Sequence, residues 1–228
     1  RIRAERTPHP WDYIDVVCKY LKPTDRVLDV GTGGGEVFLS LAPYFAEGVG
    51  VDQNPMMIKT AERNKLARSI DNVSLRQMEA ADLQFEAASF DVVLAKHLHV
   101  YVSEMLRVLR PGGYFITQLV GKRTSLNMLD AFGWTPDSFG PDWWQTAAGL
   151  AEEFRAHNCH IMAQAEFDVP YWFQDVESLL FFIMAVPWPE RIELDKHWQN
   201  INHILEHSQT EKGIQTNEHY GLLIVQKR

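Results

Sequence analysis

Glycines are concentrated in one stretch of the chain, VLDVGTGGGEVFLSLA at residues 27–42. Four of its residues are glycine, and they lie between an apolar run and a segment with the pattern of an amphipathic helix. Glycine lowers the stability of regular structure, so this concentration indicates a place where the backbone comes close to another molecule. The stretch therefore predicts a binding loop at a strand-to-helix turn.

Two well-known kinds of glycine-rich loop fit this stretch poorly. A loop for nucleoside triphosphates needs Lys followed by Ser or Thr directly after the glycines, and these glycines are followed by Glu36 and Val37. A dinucleotide loop needs a third glycine where this chain has Glu36, whose negative charge would face the pyrophosphate. The residues of the loop therefore argue against NAD.

The stretch fits the pattern acidic-x-G-x-G-x-G, which is filled by Asp29, Gly31, Gly33 and Gly35. Asp52 at the end of the next predicted strand, AADLQF at residues 80–85 and the LRPGG turn at residues 109–113 follow. In this order the features resemble the class I S-adenosylmethionine-dependent methyltransferases, and the resemblance covers residues 27–120. It implies a site for S-adenosyl-L-methionine and its product S-adenosyl-L-homocysteine, with the glycine loop under the cationic, phosphate-free methionine end.

The resemblance also assigns roles to single residues. Asp52 would accept hydrogen bonds from both ribose hydroxyls, Asp82 would bind the adenine amino group, and Leu83 would pack on the adenine ring. Considered alone, Asp52 would be a strand-end cap and Asp82 a turn residue. The full set expected to contact the cofactor is Asp29, Gly31, Gly33, Gly35, Asp52, Gln53, Met57, Ala81, Asp82, Leu83 and Lys96.

His97 directly follows the fourth predicted strand, where the resemblance places the methyl acceptor. Methyl transfer from a sulfonium is an in-line displacement, so the protein mainly aligns the two partners. A general base is added when the acceptor must lose a proton, and imidazole has a suitable pKa. His97 is therefore the candidate catalytic base, and a histidine bonded within its loop is the alternative.

Aromatic residues are frequent after residue 120, where two insertions follow the fifth and sixth predicted strands. They could line an apolar pocket over the cofactor or form a core for the insertions themselves. Those beside Pro or Gly turns are the better candidates for the pocket, together with two histidines. The residues expected to contact the substrate are His99, Trp143, Trp144, Tyr171, Trp172 and His219.

Strand and helix patterns alternate through the first 120 residues and must position these side chains. Asn54 and Pro55 open one helix, and another is expected between Thr7 and Pro23, with Thr7 or His9 as its cap. The alternation predicts a Rossmann-like α/β fold, whose mostly parallel seven-stranded sheet has helices on both faces. The seven strands are expected at residues 27–30, 48–52, 73–78, 90–96, 113–120, 160–169 and 220–228.

The chain is expected to form a single domain over residues 1–228. Residues 1–120 would be its cofactor-binding half, and residues 121–218 would contain the cap, with insertions at about 121–146 and 170–217.

Composition narrows the function classes. The net charge of −8 and the absence of an Asn-Pro-Pro-aromatic motif after the fourth strand argue against a nucleic-acid partner. Cys18 and Cys159 lack metal-ligand spacing, so no metal is expected, and two free thiols favour the cytoplasm. The longest apolar run, at residues 179–186, is shorter than the roughly 20 residues that span a bilayer.

The predicted function is methyl transfer from S-adenosylmethionine to a small apolar or aromatic molecule, by a monomer or homodimer. A tRNA, rRNA or protein methyltransferase and a cofactor-binding partner protein without catalysis are the alternatives.

Overall fold

The computed structural model describes residues 2–140 and 143–228, and the chain divides into two compact units. The sheet unit comprises Trp11–Leu119, Gln145–Ala165 and Gly221–Arg228, and the aromatic unit comprises Arg1–Pro10, Val120–Trp144 and Glu166–Tyr220. The helices are α1 (Tyr13–Cys18), α2 (Glu36–Leu41), α3 (Pro55–Ala67), α4 (Val102–Val108), α5 (Leu126–Phe132), α6 (Ala147–Ala156), α7 (Val176–Ala185) and α8 (Leu194–Ser208). The strands are β1 (Ala4–Arg6), β2 (Arg26–Val30), β3 (Glu47–Asp52), β4 (Val73–Gln77), β5 (Phe90–Lys96), β6 (Leu109–Val120), β7 (His160–Phe173), β8 (Gln209–Thr210) and β9 (Gly213–Gln226).

In the sheet unit the strand order is β7, β9, β6, β5, β2, β3, β4. The pairs β2–β3, β2–β5, β3–β4 and β5–β6 are parallel. The carboxyl ends of these strands therefore lie at one edge of the sheet, which is where parallel α/β sheets bind ligands. This topology confirms the predicted Rossmann-like fold with a mostly parallel sheet.

Both faces of this sheet are buried. Along β2, Leu28 belongs to one apolar cluster and Val27 to another, and along β5 Val93 and Val92 divide in the same way. Successive side chains of a strand point to opposite faces, so a strand that is apolar throughout needs a core on each side. The helices predicted on both faces supply these two cores.

Two predicted boundaries near helices are wrong. The first helix starts at Tyr13 rather than near Thr7 or His9, because Asp12 accepts hydrogen bonds from Ile14 N at 2.8 Å and Asp15 N at 3.1 Å. The Pro-Gly-Gly of residues 111–113 lies within β6, which begins at Leu109 instead of Gly113. A register shift in the β5–β6 pairing accommodates these residues.

The aromatic unit has its own core. Tyr171, Phe173 and Leu179 are buried in it, and Trp134 packs on Phe132 and Trp188 with ring centroids 4.6 and 5.9 Å apart. Strand β1 pairs antiparallel with the end of β7, and β8 pairs with the start of β9. The two short strands β1 and β8 were not predicted, and they bring the described strands to nine rather than seven.

No helix in the described part of the chain is long and apolar enough to cross a membrane.

Packing against β3 generates a stability prediction at Gly48. A Cβ at this position would lie 2.6 Å from Phe45 Cε2 and 2.8 Å from Phe38 Cζ. We expect Gly48→Ala to lower the free energy of unfolding by about 1–3 kcal/mol through overpacking, measured by urea denaturation. Gly149→Ala is the control, because Gly149 is exposed in α6 and alanine favours a helix by about 1 kcal/mol. Equal stabilities of wild type and Gly48→Ala would contradict this packing account.

Candidate cofactor and acceptor site

The glycine loop after β2 has a backbone that suits glycine alone. Gly31, Gly33 and Gly35 have φ angles of 73°, 55° and 78°, in the left-handed region. The N–H groups of Gly31 and Thr32 donate to Val51 O at 2.8 and 2.9 Å, which fixes the loop beside the end of β3. The loop thus lies at the carboxyl edge of the sheet and leads directly into α2.

Asp52, the last residue of β3, is oriented by two backbone donors. Its Oδ2 accepts from Gly33 N at 2.9 Å and its Oδ1 accepts from Asn54 N at 2.9 Å. A carboxylate oxygen has two lone pairs, so each oxygen retains capacity for a further donor. The carboxylate is therefore fixed beside the glycine loop with both oxygens able to accept from a diol; its ribose contact stays a prediction.

Asp29 lies at the base of the same loop and is buried, with 8% of its surface exposed. Burial raises the pKa of Asp29 to about 7, against the opposing effect of the Lys96 ammonium, and the nearby Asp52 adds to the rise. Its protonation at neutral pH therefore responds to any cation that binds at the loop.

The loop after β4 carries Asp82, which is exposed and accepts from Gln84 Nε2 at 2.8 Å. The side chain of Leu83 is buried in the core of the sheet unit. Its backbone N–H donates to Glu104 Oε2 at 3.0 Å, and its carbonyl accepts from Arg107 Nη2 at 2.5 Å. The adenine contacts of Asp82 and Leu83 stay predictions. Glu104 and Arg107 of α4, which hold this loop, were not predicted as residues of the site.

Arg107 and Glu104 act together on that loop. Arg107 Nε donates to Glu104 Oε1 at 2.8 Å, and Arg107 Nη1 donates to Phe85 O at 2.6 Å. The hydrogen bond from Arg107 lowers the pKa of Glu104 and keeps it ionised. Glu and Arg three residues apart on a helix were the available signal in the sequence.

The loop after β5 begins at His97, which has a φ of 58°, unusual for a residue with a Cβ. Its N–H donates to Gln118 O at 2.8 Å, and its Nε2 lies 3.1 Å from Gln118 Nε2. Part of His97 is exposed to solvent; desolvation of the rest of its ring and the nearby Lys96 ammonium lower its pKa. The imidazole is therefore neutral at pH 7.

Two further contacts hold this loop. Val100 N donates to Gln145 Oε1 at 2.6 Å, and Gln145 Nε2 donates to Val100 O at 2.9 Å. A Cβ placed on Gly31 would lie 3.2 Å from Leu98 Cδ2, so the loop after β5 touches the glycine loop. His99 is exposed beside Tyr101, with ring centroids 4.9 Å apart.

The remaining cofactor candidates also lie near the carboxyl edge of the sheet. Gln53 is exposed directly after β3, and its carbonyl accepts from Gln77 Nε2 at 3.2 Å. Met57 is exposed in the first turn of α3, and Ala81 is exposed in the loop after β4. Lys96, the last residue of β5, is half-buried and acts electrostatically on Asp29 and His97. The structure thus gathers the cofactor candidates around four loops of one edge.

The substrate candidates in the aromatic unit are not gathered in this way. Trp143 is exposed and stacks on Phe139 at 5.5 Å, whereas Trp144 Nε1 donates to Pro136 O at 2.7 Å. Tyr171 is buried in the core of the unit, and this burial raises the pKa of its hydroxyl well above the ordinary value for tyrosine. Such packing supports a structural role for Tyr171, and its contact with a substrate stays a prediction.

Trp172 and His219 have separate environments in the same unit. Trp172 is half-buried, with Lys212 Nζ 4.6 Å from its ring centroid. His219 is buried and its Nδ1 accepts from Arg123 N at 3.2 Å. His219 Nε2 has no hydrogen-bond partner among the described residues and lies 3.7 Å from Glu166 Oε2. Contacts of both residues with a substrate stay predictions.

Among residues 2–140 and 143–228, no group of three or more His, Cys, Asp or Glu side chains is arranged to hold a metal ion.

Comparison with known proteins agrees with this fold. Residues 28–117 match the protein family described as a methyltransferase domain. The structure superposes on the crystal structure of the Bacillus subtilis protein YcgJ with a TM-score of 0.67 and 19% sequence identity. The superposition covers 95% of this chain and 98% of YcgJ. These similarities support the resemblance of residues 27–120 to the class I S-adenosylmethionine-dependent methyltransferases.

Particular relatives are named for different reactions. An uncharacterized methyltransferase, YcgJ of Bacillus subtilis, is 33% identical over 98 residues, which are 40% of this chain and 39% of that protein. A probable phthiotriol/phenolphthiotriol dimycocerosates methyltransferase of Mycobacterium ulcerans is 42% identical over 99 residues (40% and 37%). A ubiquinone/menaquinone biosynthesis C-methyltransferase of Zymomonas mobilis is 30% identical over 101 residues (41% and 42%). The match thus spans about two fifths of each relative.

The hold of α4 on the loop after β4 can be tested with Arg107→Met. This variant removes the donors to Leu83 O and Phe85 O while keeping most of the side-chain volume. We expect the free energy of unfolding to fall by about 1–2 kcal/mol, and amide exchange in residues 82–85 to accelerate. The matched control is Arg68→Met, which removes an exposed arginine with a single 3.3 Å bond to Glu36 O. Unchanged exchange in residues 82–85 would show that Arg107 does not hold the loop.

Proposed function

We propose that this chain transfers the methyl group of S-adenosylmethionine to a small molecule with an apolar or aromatic body. The observation that carries the proposal is the Asp52 carboxylate, held between the N–H groups of Gly33 and Asn54 at the carboxyl edge of the sheet. Both oxygens of this carboxylate can accept from the two hydroxyls of a ribose.

The charges of the loop fit this cofactor. Asp29 and Glu36 flank the glycines, and the loop of residues 29–36 contains no Lys or Arg. Carboxylates beside a binding site favour a ligand with positive charge and disfavour a phosphate. S-adenosylmethionine carries an ammonium and a sulfonium at the end that this loop would receive.

The residues of the chain would then have separate tasks. When bound, the cofactor would supply a methyl group for displacement by the acceptor: the acceptor's lone pair bonds to the methyl carbon, and the electron pair of the broken C–S bond stays on sulfur. The glycine loop and Asp52 would hold the nucleoside and methionine parts, and Asp29 would balance the positive charge. The loop from His97 to Tyr101 would align the acceptor, which is the main requirement of an in-line displacement.

The small-molecule assignment is supported by the relatives and by the composition. One relative is named as a probable phthiotriol/phenolphthiotriol dimycocerosates methyltransferase and another as a ubiquinone/menaquinone biosynthesis C-methyltransferase. The net charge of −8 disfavours a nucleic-acid substrate. The candidate substrate contacts in the aromatic unit stay as the sequence predicts them: Trp143, Trp144, Tyr171, Trp172 and His219.

Cofactor binding is tested with S-adenosylhomocysteine and Asp52→Ala. Loss of both acceptors should weaken binding about 10- to 100-fold in isothermal titration calorimetry, since a hydrogen bond to a charged group contributes about 1.5–3 kcal/mol. Asp71→Ala, which changes an exposed carboxylate in the turn after α3, should bind as the wild type does. Undiminished affinity in Asp52→Ala would remove Asp52 from the site, and no heat with folded wild type would contradict the proposal.

The raised pKa of Asp29 predicts a pH dependence of binding. As the pH rises from 6 to 8 the Asp29 carboxylate forms, and it attracts the ammonium of S-adenosylhomocysteine. A pKa of about 7 implies that roughly one tenth of Asp29 is ionised at pH 6. Between pH 6 and pH 8, the affinity of the wild type for S-adenosylhomocysteine should therefore increase by up to about tenfold more than the affinity of Asp29→Asn does. Parallel pH profiles of the two proteins would contradict the assignment, because titration of the ligand is common to both.

Turnover separates the candidate functions. We expect S-adenosylhomocysteine to accumulate from S-adenosylmethionine when a naphthohydroquinone is supplied, measured by mass spectrometry. Turnover with bulk transfer RNA alone, lost steeply as salt increases, would indicate the nucleic-acid alternative. Cofactor binding with no turnover and a salt-resistant complex with a second chain would indicate a partner protein without catalysis.

A further inference from the structure

The orientation of the Gln118 side chain is determined by its two neighbours. Gln118, near the end of β6, has 6% of its surface exposed. Its Oε1 accepts from Trp11 Nε1 at 3.0 Å. An indole N–H is a donor and never an acceptor, so the amide oxygen must face Trp11. The Gln118 amide NH₂ group therefore faces the other way, toward His97.

The protonation state of His97 follows from this orientation. Gln118 Nε2 and His97 Nε2 are 3.1 Å apart, and an amide NH₂ group can only donate. His97 Nε2 must then accept with its lone pair, which places the proton of the neutral ring on Nδ1. A protonated imidazole would instead place two donors against each other.

The backbone reinforces this arrangement. His97 N–H donates to Gln118 O at 2.8 Å, and the β5–β6 register aligns Lys96 with Gln118. The φ of 58° at His97 is a strained conformation that persists only where surrounding contacts impose it. One residue of β6 thus fixes both the backbone and the ring of His97.

We infer that Trp11 and Gln118 hold His97 as a neutral imidazole protonated on Nδ1, so that His97 presents a hydrogen-bond donor to the methyl acceptor and does not act as its base. This inference rests on the proposed methyl transfer for its functional part. Gln118 and Trp11 are positioning residues, because they act through His97. The structural part concerns the ring alone and holds with or without turnover.

The chemical class of the acceptor follows from the missing base. With Nε2 engaged, His97 has no lone pair to take a proton. The site therefore suits an acceptor that is acidic enough to ionise near neutral pH without a base, such as an electron-poor phenol or the enol of a 1,3-dicarbonyl compound. Its lone pair forms the bond to the methyl carbon, the C–S pair leaves with sulfur, and the opposite charges of acceptor and sulfonium cancel with no proton transferred. An Nδ1–H donor would stabilise such an anion in place.

The charged surroundings of His97 agree with a neutral ring. On β5 the adjacent charged group is the Lys96 ammonium, which disfavours a second positive charge. β6 presents the neutral Gln118 amide, and the segment before α1 presents the neutral Trp11 indole.

The test is ¹⁵N NMR of the histidine rings of the full chain between pH 5 and pH 8. We expect His97 in the wild type to show a protonated Nδ1 and an unprotonated Nε2 throughout this range. A protonated Nε2, or a titration of His97 with a midpoint between pH 6 and pH 8, would overturn the inference.

Two variants separate the contributions of the positioning residues. Gln118→Glu replaces the amide donor by a carboxylate of the same shape, and the pKa of His97 should rise by about 1–3 units. Trp11→Phe removes the donor that orients Gln118, so both ring nitrogens should show intermediate shifts from mixed tautomers. Gln84→Glu, an exposed change in the loop after β4, should leave the His97 signals unaltered. A single unchanged tautomer in both test variants would contradict control by Gln118 and Trp11.

Calorimetry with S-adenosylhomocysteine keeps the two proposals distinguishable. The wild type and Trp11→Phe should bind S-adenosylhomocysteine with affinities within about threefold of each other, since Trp11 is not assigned to the cofactor site. Absence of binding in the wild type with the expected His97 spectrum would overturn the proposed function and leave the tautomer assignment standing. Binding with a protonated Nε2 would overturn the tautomer assignment alone.

Discussion

The hydrogen bond from Gly33 N–H to the Asp52 carboxylate is the contact on which the candidate site depends. It joins the glycine loop after β2 to the end of β3 and fixes one oxygen of the carboxylate, while Asn54 fixes the other. The loop can approach Asp52 this closely because the glycines adopt left-handed φ angles without steric cost. Sequence, backbone conformation and carboxylate orientation are therefore parts of one arrangement.

The other loops of the same edge are held by polar side chains rather than by packing alone. Arg107 and Glu104 bind the loop after β4, and Gln145 binds Val100 in the loop after β5. A loop that carries functional groups cannot bury its backbone in an apolar core, so its carbonyl and N–H groups need partners of this kind. The bonds restrict the loops before a ligand arrives and reduce the entropy lost on binding.

The sequence predicted the parts of the structure that depend on local rules. Apolar runs gave β2, β3 and β5 close to their observed bounds, and Asn54 with Pro55 marked the start of α3 correctly. The cap of α1 was missed because Asp12 lies within a segment where Thr7, His9 and Pro10 also resemble helix starts. The partnership of Trp11, Gln118 and His97 was out of reach, because its two contacts join residues 107 and 21 positions apart whose types carry no signature.

A division of charge across the site follows from these contacts. Asp29, whose pKa is raised to about 7 and which is therefore partly ionised at neutral pH, lies at the loop proposed for the cationic cofactor end, whereas the ring proposed to face the acceptor, that of His97, is neutral. An imidazolium beside a sulfonium would repel the reacting cofactor, and the repulsion would be strong where water is excluded. A neutral donor avoids this cost and still stabilises an anionic acceptor. The Gln118 amide, which has no charge in either orientation, is suited to maintain that state because it selects a tautomer without adding a charge.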